Sequence, residues 1–218
     1  MNWSRKRRGL IVAVAAVAVS VPSTAYADAW SGVEPVGDVH GFRFDPEPKP
    51  CGTVTDWNAT ANTTNDITKL IVNHTMERVV LTLRFRDLRL RGGHMTQFAI
   101  MTNERGYVLD VDRFETGAKT EFVFSHQPTD IPEPNECGGI GLLFEDLGCL
   151  RLTGEIAADR DVVKVSIPRR CLSTPRWVQV GASNHRYEDG RVYSDHWAPP
   201  GSDETSFFGP YGPRVRAS

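Results

Sequence analysis

Residues Glu77 to Leu88 read ERVVLTLRFRDL. Val79, Leu81, Leu83 and Phe85 alternate with Val80, Thr82, Arg84 and Arg86, and a period of two sends successive side chains to opposite faces of a strand. The first set is expected against a core, the second toward solvent. The rhythm continues in both directions. Upstream, TKLIVNH (68–74) supplies a partner strand, with Thr75-Met76 as the turn between them. Downstream, Arg91-Gly92-Gly93 leads into MTQFAIMT (95–102), where Thr96, Phe98 and Ile100 form one alternating set. Asn103 to Gly106 then turns the chain into YVLDVDRF (107–114), with Tyr107, Leu109 and Val111 inward, and KTEFVFSH (119–126) follows with Phe122 and Phe124 as core residues. Hairpin-like units with short spacers describe an antiparallel meander.

The Pro-rich stretch HQPTDIPEPNECGG (126–139) interrupts this pattern. Beyond it, CLRLTGEIA (149–157) and DVVKVSIP (161–168) are expected to pair across Asp159-Arg160, with Val163, Val165 and Ile167 on one face. RWVQVGA (176–182) reads as a short closing strand. No window after the first 27 residues carries the i, i+3, i+4, i+7 spacing of an amphipathic helix. The expected fold is therefore all-β, an antiparallel β-sandwich of about seven to nine strands. A closed barrel would give much the same pattern.

The ends have a different character. The chain opens MNWSRKRRGLIVAVAAVAVSVPSTAYADAW, in which Arg5, Lys6, Arg7 and Arg8 precede an apolar run and Ala25-Tyr26-Ala27 has small residues where a signal peptidase needs them. Residues 1–27 are read as a signal peptide; the apolar run is too short to cross a hydrocarbon core of about 30 Å. A secreted, extracellular protein without a membrane partner after cleavage is expected. Residues 28–50, with Pro46, Pro48 and Pro50 at alternate positions, suit an extended leader. The Thr- and Asn-rich stretch after Cys51 reads as loop or irregular edge strand. The domain proper is assigned to residues 51–182, and residues 183–218, rich in Gly, Pro, Asp and Ser, to an irregular tail whose last ten or so residues are disordered.

The 218 residues carry 25 basic and 27 acidic side chains, and every acidic one lies after Ala27, so cleavage makes the protein more acidic. Binding to a phosphate backbone needs the opposite, a clustered basic excess. Nucleic acid is not an expected partner.

Four cysteines, Cys51, Cys137, Cys149 and Cys171, follow the leader, and in an oxidising compartment an even count reads as two disulfides. Pairing of 150–157 with 161–168 would bring Cys149 near Cys171, leaving Cys51 for Cys137; this is the favoured arrangement. Cys137 with Cys149 and Cys51 with Cys171 is geometrically acceptable as well. A four-Cys zinc site is disfavoured because no C-x₂-C or C-x₄-C pair is present.

Three features together resemble a known group: Asp66-Ile67, the strand ending FRDL (85–88), and IPRRCLSTPRWVQVG (167–181). The chain is similar over about residues 50 to 182 to uncharacterised secreted proteins of actinobacteria, in which a Pro-Arg-x-Cys-Leu segment precedes a Trp-Val-x-Val strand. Ile167, Pro168, Arg169, Cys171, Leu172, Pro175, Trp177, Val178 and Val180 occupy those places. The resemblance implies an exported β-sandwich with a disulfide at Cys171. It implies no substrate, and structural duty is the expected explanation of the motif: Pro168 should end a strand and Pro175 bias Thr174 to an extended conformation.

No G-x-S-x-G, H-E-x-x-H or phosphate-loop motif is present, so no catalytic residue is assigned and no cofactor is expected. Asp110 and Asp112 on one strand face, with Glu115 just beyond, are the candidates for Ca²⁺, although that ion wants six to eight oxygens. His74, His94 and His126 stand beside strand ends, where surface histidines are the default. In the tail, Glu188, Asp189, Asp195, Asp203 and Glu204 lie among Tyr187, Tyr193, Trp197, Phe207 and Phe208, a mixture found in carbohydrate-binding surfaces and, with paired carboxylates, in glycosidases. Docking of the tail on the domain accounts for the same residues. The function expected is a secreted structural or binding module for an extracellular or cell-wall ligand; the alternative is an extracellular hydrolase or carbohydrate-active protein.

Overall fold

A computed structural model describes residues 28–47, 51–114, 117–129, 133–137, 144–198 and 210–218. The expected signal peptide, residues 1–27, lies outside the described residues. The described residues form thirteen strands: β1 (Asp28–Val33), β2 (His40–Asp45), β3 (Thr53–Asn58), β4 (Ile67–His74), β5 (Arg78–Phe85), β6 (Gly93–Thr102), β7 (Gly106–Arg113), β8 (Glu121–His126), β9 (Thr153–Ala157), β10 (Val162–Pro168), β11 (Trp177–Glu188), β12 (Arg191–His196) and β13 (Val215–Arg216). They build two antiparallel sheets. The five-stranded sheet runs β1-β4-β5-β10-β9; the eight-stranded sheet runs β3-β2-β12-β11-β6-β7-β8, and its eighth strand, β13, pairs with β11 off that path. Among the described residues no helix is long and apolar enough to cross a membrane.

Strand β5 sits at the middle of the smaller sheet, which explains its clean alternation. Leu83 is level with Leu70 of β4 and Val163 of β10, and Leu81 with Val72 and Val165. Val79, Leu81 and Leu83 are wholly buried, while Arg84 and Arg86 are exposed. One continuous apolar cluster joins these residues to Phe98, Ile100, Leu109, Val111, Val178 and Val180 of the larger sheet. Burying one face of each sheet against the other supplies most of the driving force.

The expectation of seven to nine strands undercounts, and the missing strands lie in the two end segments. The supposed leader contributes β1, paired along its length with β4, and β2, which joins β12 to β3. The supposed tail contributes the second half of β11, all of β12, and β13. Val215, inside the stretch expected to be disordered, is 2 % exposed and lies level with Val178. The boundary at residue 182 fails because β11 continues with Asn184 and Arg186 facing inward, and two polar inward positions erase the alternation by which a strand is recognised. Nor is the meander continuous: β4 and β5 belong to one sheet and β6, β7 and β8 to the other.

Disulfides join Cys51 to Cys137 and Cys149 to Cys171, with Cα separations of 5.1 and 5.8 Å, within the usual range for such bridges. The Cys149–Cys171 bridge packs on the edge of the core. In the IPRRCL segment, Pro168 closes β10 and Arg169–Leu172 makes a single 3₁₀ turn. Arg169 donates from Nε and Nη2 to the Pro175 carbonyl at 3.0 and 2.7 Å, and Leu172 is fully buried. Thr174 is not extended ahead of Pro175 as expected but left-handed, φ 52°, after a left-handed Ser173, φ 59°; these residues hold a corner together.

Candidate functional site

No residue of β2 or β3 belongs to the main core, so this wing of the larger sheet is free to line a cleft. Trp57 of β3 lies across Gly41 of β2, where any side chain at 41 would collide with the indole. It meets Tyr193 of β12 edge to face, ring centroids 6.1 Å apart, and the Arg191 guanidinium sits 5.9 Å from its centroid. The segment 58–64 forms the facing wall, and Asp87, Arg89, Arg186 and Glu188 complete a cleft of about 560 Å³.

The wall is held in shape by its own polar residues. Asn62 Oδ1 accepts from Thr64 N and Oγ1 at 3.0 and 2.8 Å. Asn65 donates to the carbonyls of Asn184 and Tyr193 at 3.2 and 3.1 Å, and Thr96 Oγ1 donates to Asn184 Oδ1 at 2.8 Å. Arg186, 6 % exposed, crosses the floor: it donates to Thr64 Oγ1, to the Arg91 carbonyl at 3.2 Å and to Glu188 Oε2 at 2.7 Å. At the rim, Arg89 bridges to Asp87 at 2.8 Å. Flat apolar rings beside fixed donors and acceptors are the makings of a site for a ligand rich in hydroxyl groups. A larger hollow of about 920 Å³ lies near Arg105, His126 and Trp177, but there Arg214 already covers the Trp177 ring at 4.3 Å.

A second polar feature adjoins this wall. Carboxylate oxygens of Glu34, Asp38 and Asp195 lie within 4.8 Å of one another. Glu34 follows β1, Asp38 lies in the turn before β2, and Asp195 is inward on β12. Asp66, just before β4, borders them: its Oδ2 accepts from Gly37 N at 3.0 Å and lies 3.6 Å from Arg86 Nη1. Glu34 Oε1 accepts from Ala198 N at 3.1 Å, and Asp195 accepts from Ile67 N at 2.6 Å and His196 N at 2.9 Å. Burial first, then the charges of Asp195 and Asp38, pushes Glu34 up to about 10. Burial pushes Asp195 up to about 7 and raises Asp66 as well. Comparison with protein-family models, curated proteins and solved structures finds no match.

The residues singled out from sequence are dispersed. Asp110 and Asp112 share the outer face of β7, where Gln97 donates to Asp110 at 2.9 Å and Glu121 stands opposite Asp112. Burial, then Asp110 and Glu121, pushes Asp112 up to about 7. Glu115 lies outside the described residues, and among the described residues the trio of ligating side chains within bonding reach is Glu34, Asp38 and Asp195 instead. Of the tail residues, Glu188 and Tyr193 line the cleft, Asp195 joins the acidic group, and Trp197 is buried edge-on against Trp30 at 5.3 Å. Asp203, Glu204, Phe207 and Phe208 lie outside the described residues. A serine–histidine contact that the sequence did not announce pairs Ser194 Oγ with His185 Nδ1 at 2.8 Å across β11 and β12. Burial, then His196, holds His185 down at about 4, too weak a base to activate a hydroxyl near neutral pH.

The histidines also part company. His74 bonds through Nδ1 to the Val215 carbonyl at 3.0 Å, and His126 lies at the surface 3.3 Å from Arg105. His94 is 1 % exposed, edge-on to Phe85, with neither ring nitrogen hydrogen-bonded. Burial, then Arg186, Arg113 and His185, lowers it to about 4. The folded protein therefore keeps this ring neutral where the unfolded chain, at about 6.5, takes up a proton. Its contribution is complete above about pH 6.5 and is lost as the pH falls toward 4. Wild type is expected to lose up to about 3 kcal/mol relative to His94→Leu across that window, read from urea unfolding at both ends. An unchanged difference between the two proteins would show that the ring is hydrated and charged.

Proposed function

We propose that the protein is an exported binding module, a β-sandwich whose cleft beside Trp57 receives a polyhydroxylated ligand of the extracellular or cell-wall kind. One observation carries this reading: Trp57 and Tyr193 share a cleft with Asp87, Arg89, Arg186 and Glu188, held by side chains already locked to one another. Aromatic faces take the C–H surface of a sugar ring, and ionised or planar groups take its hydroxyls without rearranging. Export is part of the same proposal. The two disulfides suit an oxidising destination. Membership of the actinobacterial group of secreted proteins is proposed on Asp66-Ile67, the FRDL strand end at 85–88 and the Ile167 to Gly181 segment.

The test is calorimetry of residues 28–218 against soluble cell-wall polysaccharides and their oligosaccharide fragments. At least one is expected to bind, and Trp57→Ala is expected to weaken it about tenfold or more, the loss typical when an aromatic anchor is truncated. Circular dichroism should stay unchanged, because Trp57 lies outside the core. Equal binding by wild type and variant, or no binding to any glycan, would remove the cleft from consideration.

A further inference from the structure

We propose that Glu34, Asp38 and Asp195 form a Ca²⁺ site that fastens the N-terminal segment to the larger sheet, with Asp66 at its border. The proposal does not depend on what occupies the cleft. It starts from geometry: carboxylate oxygens of Glu34 and Asp38, both in the β1–β2 connection, and of Asp195 in β12 lie within 4.8 Å of one another. Ca²⁺ holds oxygens at about 2.3–2.6 Å, so ligands on opposite sides of the ion stand roughly twice that far apart. The group can thus close on one calcium ion with little movement. Mg²⁺ demands a tighter octahedron and gives up its water reluctantly, and Zn²⁺ favours nitrogen and sulfur.

A second observation points to a missing partner. Glu34 is 6 % exposed and Asp66 wholly buried, yet Glu34 Oε2 and Asp66 Oδ1 are buried without any hydrogen-bond partner. Buried carboxylate oxygens are ordinarily satisfied, and leaving them bare beside other carboxylates is costly. Their companion oxygens are engaged by backbone N–H groups, Glu34 Oε1 by Ala198 and Asp66 Oδ2 by Gly37; both Asp195 oxygens accept one N–H each, from Ile67 and His196, and would meet an ion through a remaining lone pair. That arrangement fixes each side chain in place and leaves an oxygen of Glu34 for a cation, as the outer contacts of a metal ligand do.

The ion would act as a strut. Glu34 follows directly on β1 of the smaller sheet, Asp195 belongs to β12 of the larger, and Asp38 lies two residues before β2. Binding would join β1 of one sheet to β12 of the other, and through the Asp195–Ile67 and Asp66–Gly37 bonds it would steady the segment that forms the cleft wall.

Chelator-treated, dialysed protein, residues 28–218, should take up one Ca²⁺ by calorimetry with a dissociation constant of about 0.1–1 mM or tighter, the range of extracellular modules, and prefer it to Mg²⁺. Its Tm should rise by several degrees in CaCl₂ and fall back in EDTA. Tb³⁺ should bind in its place with emission sensitised by Trp197, two residues from Asp195. Glu34→Gln should weaken Ca²⁺ at least tenfold while melting no lower than wild type in EDTA, because it also relieves repulsion; Asp38→Asn should show the same split. No heat and no Tm change on the wild type up to about 10 mM CaCl₂, well above that range, would overturn the proposal. So would an undiminished Ca²⁺ response in both variants, or equal affinity for Mg²⁺.

Discussion

Replacing Leu83 by Ala is expected to cost about 3–5 kcal/mol of unfolding free energy, while Arg84→Ala, one residue along, should change it by less than about 0.5 kcal/mol. Leu83 is wholly buried between Leu70 and Val163, in the strand flanked on both sides within the smaller sheet. Its side chain faces the larger sheet across a shared core. Strands fixed by hydrogen bonds on either side cannot move in to fill a gap, so most of the cavity term is expected to remain. Arg84 points the other way and is exposed. A loss of that size is a large part of the stability of an ordinary domain, and the midpoint of urea unfolding should shift with little change in slope. Similar losses at both positions would mean that the register of β5 is shifted by one residue, because a slip of one exchanges the two faces.

That contrast also shows how far the sequence could be read. In β5 and β10 local pattern and tertiary environment agree: each is flanked on both sides, and the alternation of Leu, Val and Phe states which face meets the core. In β7 the inward set Tyr107, Leu109 and Val111 agrees, but Val108 and Asp112 on the other face are buried as well, Val108 beneath Phe144 and Tyr211. Strands β1, β2 and β3 gave no such signal. Strand β3 is exposed along almost its whole length and carries Thr53, Thr55, Asp56 and Asn58, and β2 depends on Gly41 to seat Trp57. Their pairing is written in backbone hydrogen bonds, which composition does not display. Strand β11 was cut short for the opposite reason. Its inward Asn184 and Arg186 look like solvent residues until Asn65, Thr96 and Thr64 are found opposite them.

The sites were hidden by distance along the chain. Glu34, Asp38, Asp66 and Asp195 come from three places, the β1–β2 connection, the approach to β4, and β12, the last separated from its neighbour by more than half the sequence, so no spacing rule could assemble them. Asp110 and Asp112, two residues apart on one strand, were conspicuous for being local, and that proximity gathers too few oxygens. In the cleft, Tyr193 and Glu188 stood out as members of an aromatic and acidic tail. Trp57 did not, since its partner Gly41 lay in a segment that reads as a leader. Sheet folds dominated by non-local pairing separate chemistry from sequence order in this way.

Removing the Cys51–Cys137 bridge by a double serine substitution is expected to cost about 4–5 kcal/mol on the chain-entropy model, more than the roughly 3 kcal/mol for Cys149–Cys171. The ordering follows from sequence separations of 86 and 22 residues, since the longer loop loses more freedom in the unfolded chain. The native positions work in the other direction. Cys149–Cys171 packs on the core, so its removal adds lost contact, whereas Cys51 stands just ahead of β3, an edge strand paired only to β2 among the described residues. If β3 peels away before the rest unfolds, the entropic advantage of the long loop disappears from global stability and reappears as local opening. Urea unfolding followed by tryptophan fluorescence, together with amide exchange of residues 53–58, separates the two. A global loss near 4 kcal/mol with β3 still protected would make the bridge a constraint on the whole fold. A loss below about 1 kcal/mol with β3 exchanging freely would make it a clasp on the wing that carries Trp57, and ligand affinity in the cleft should then fall with it.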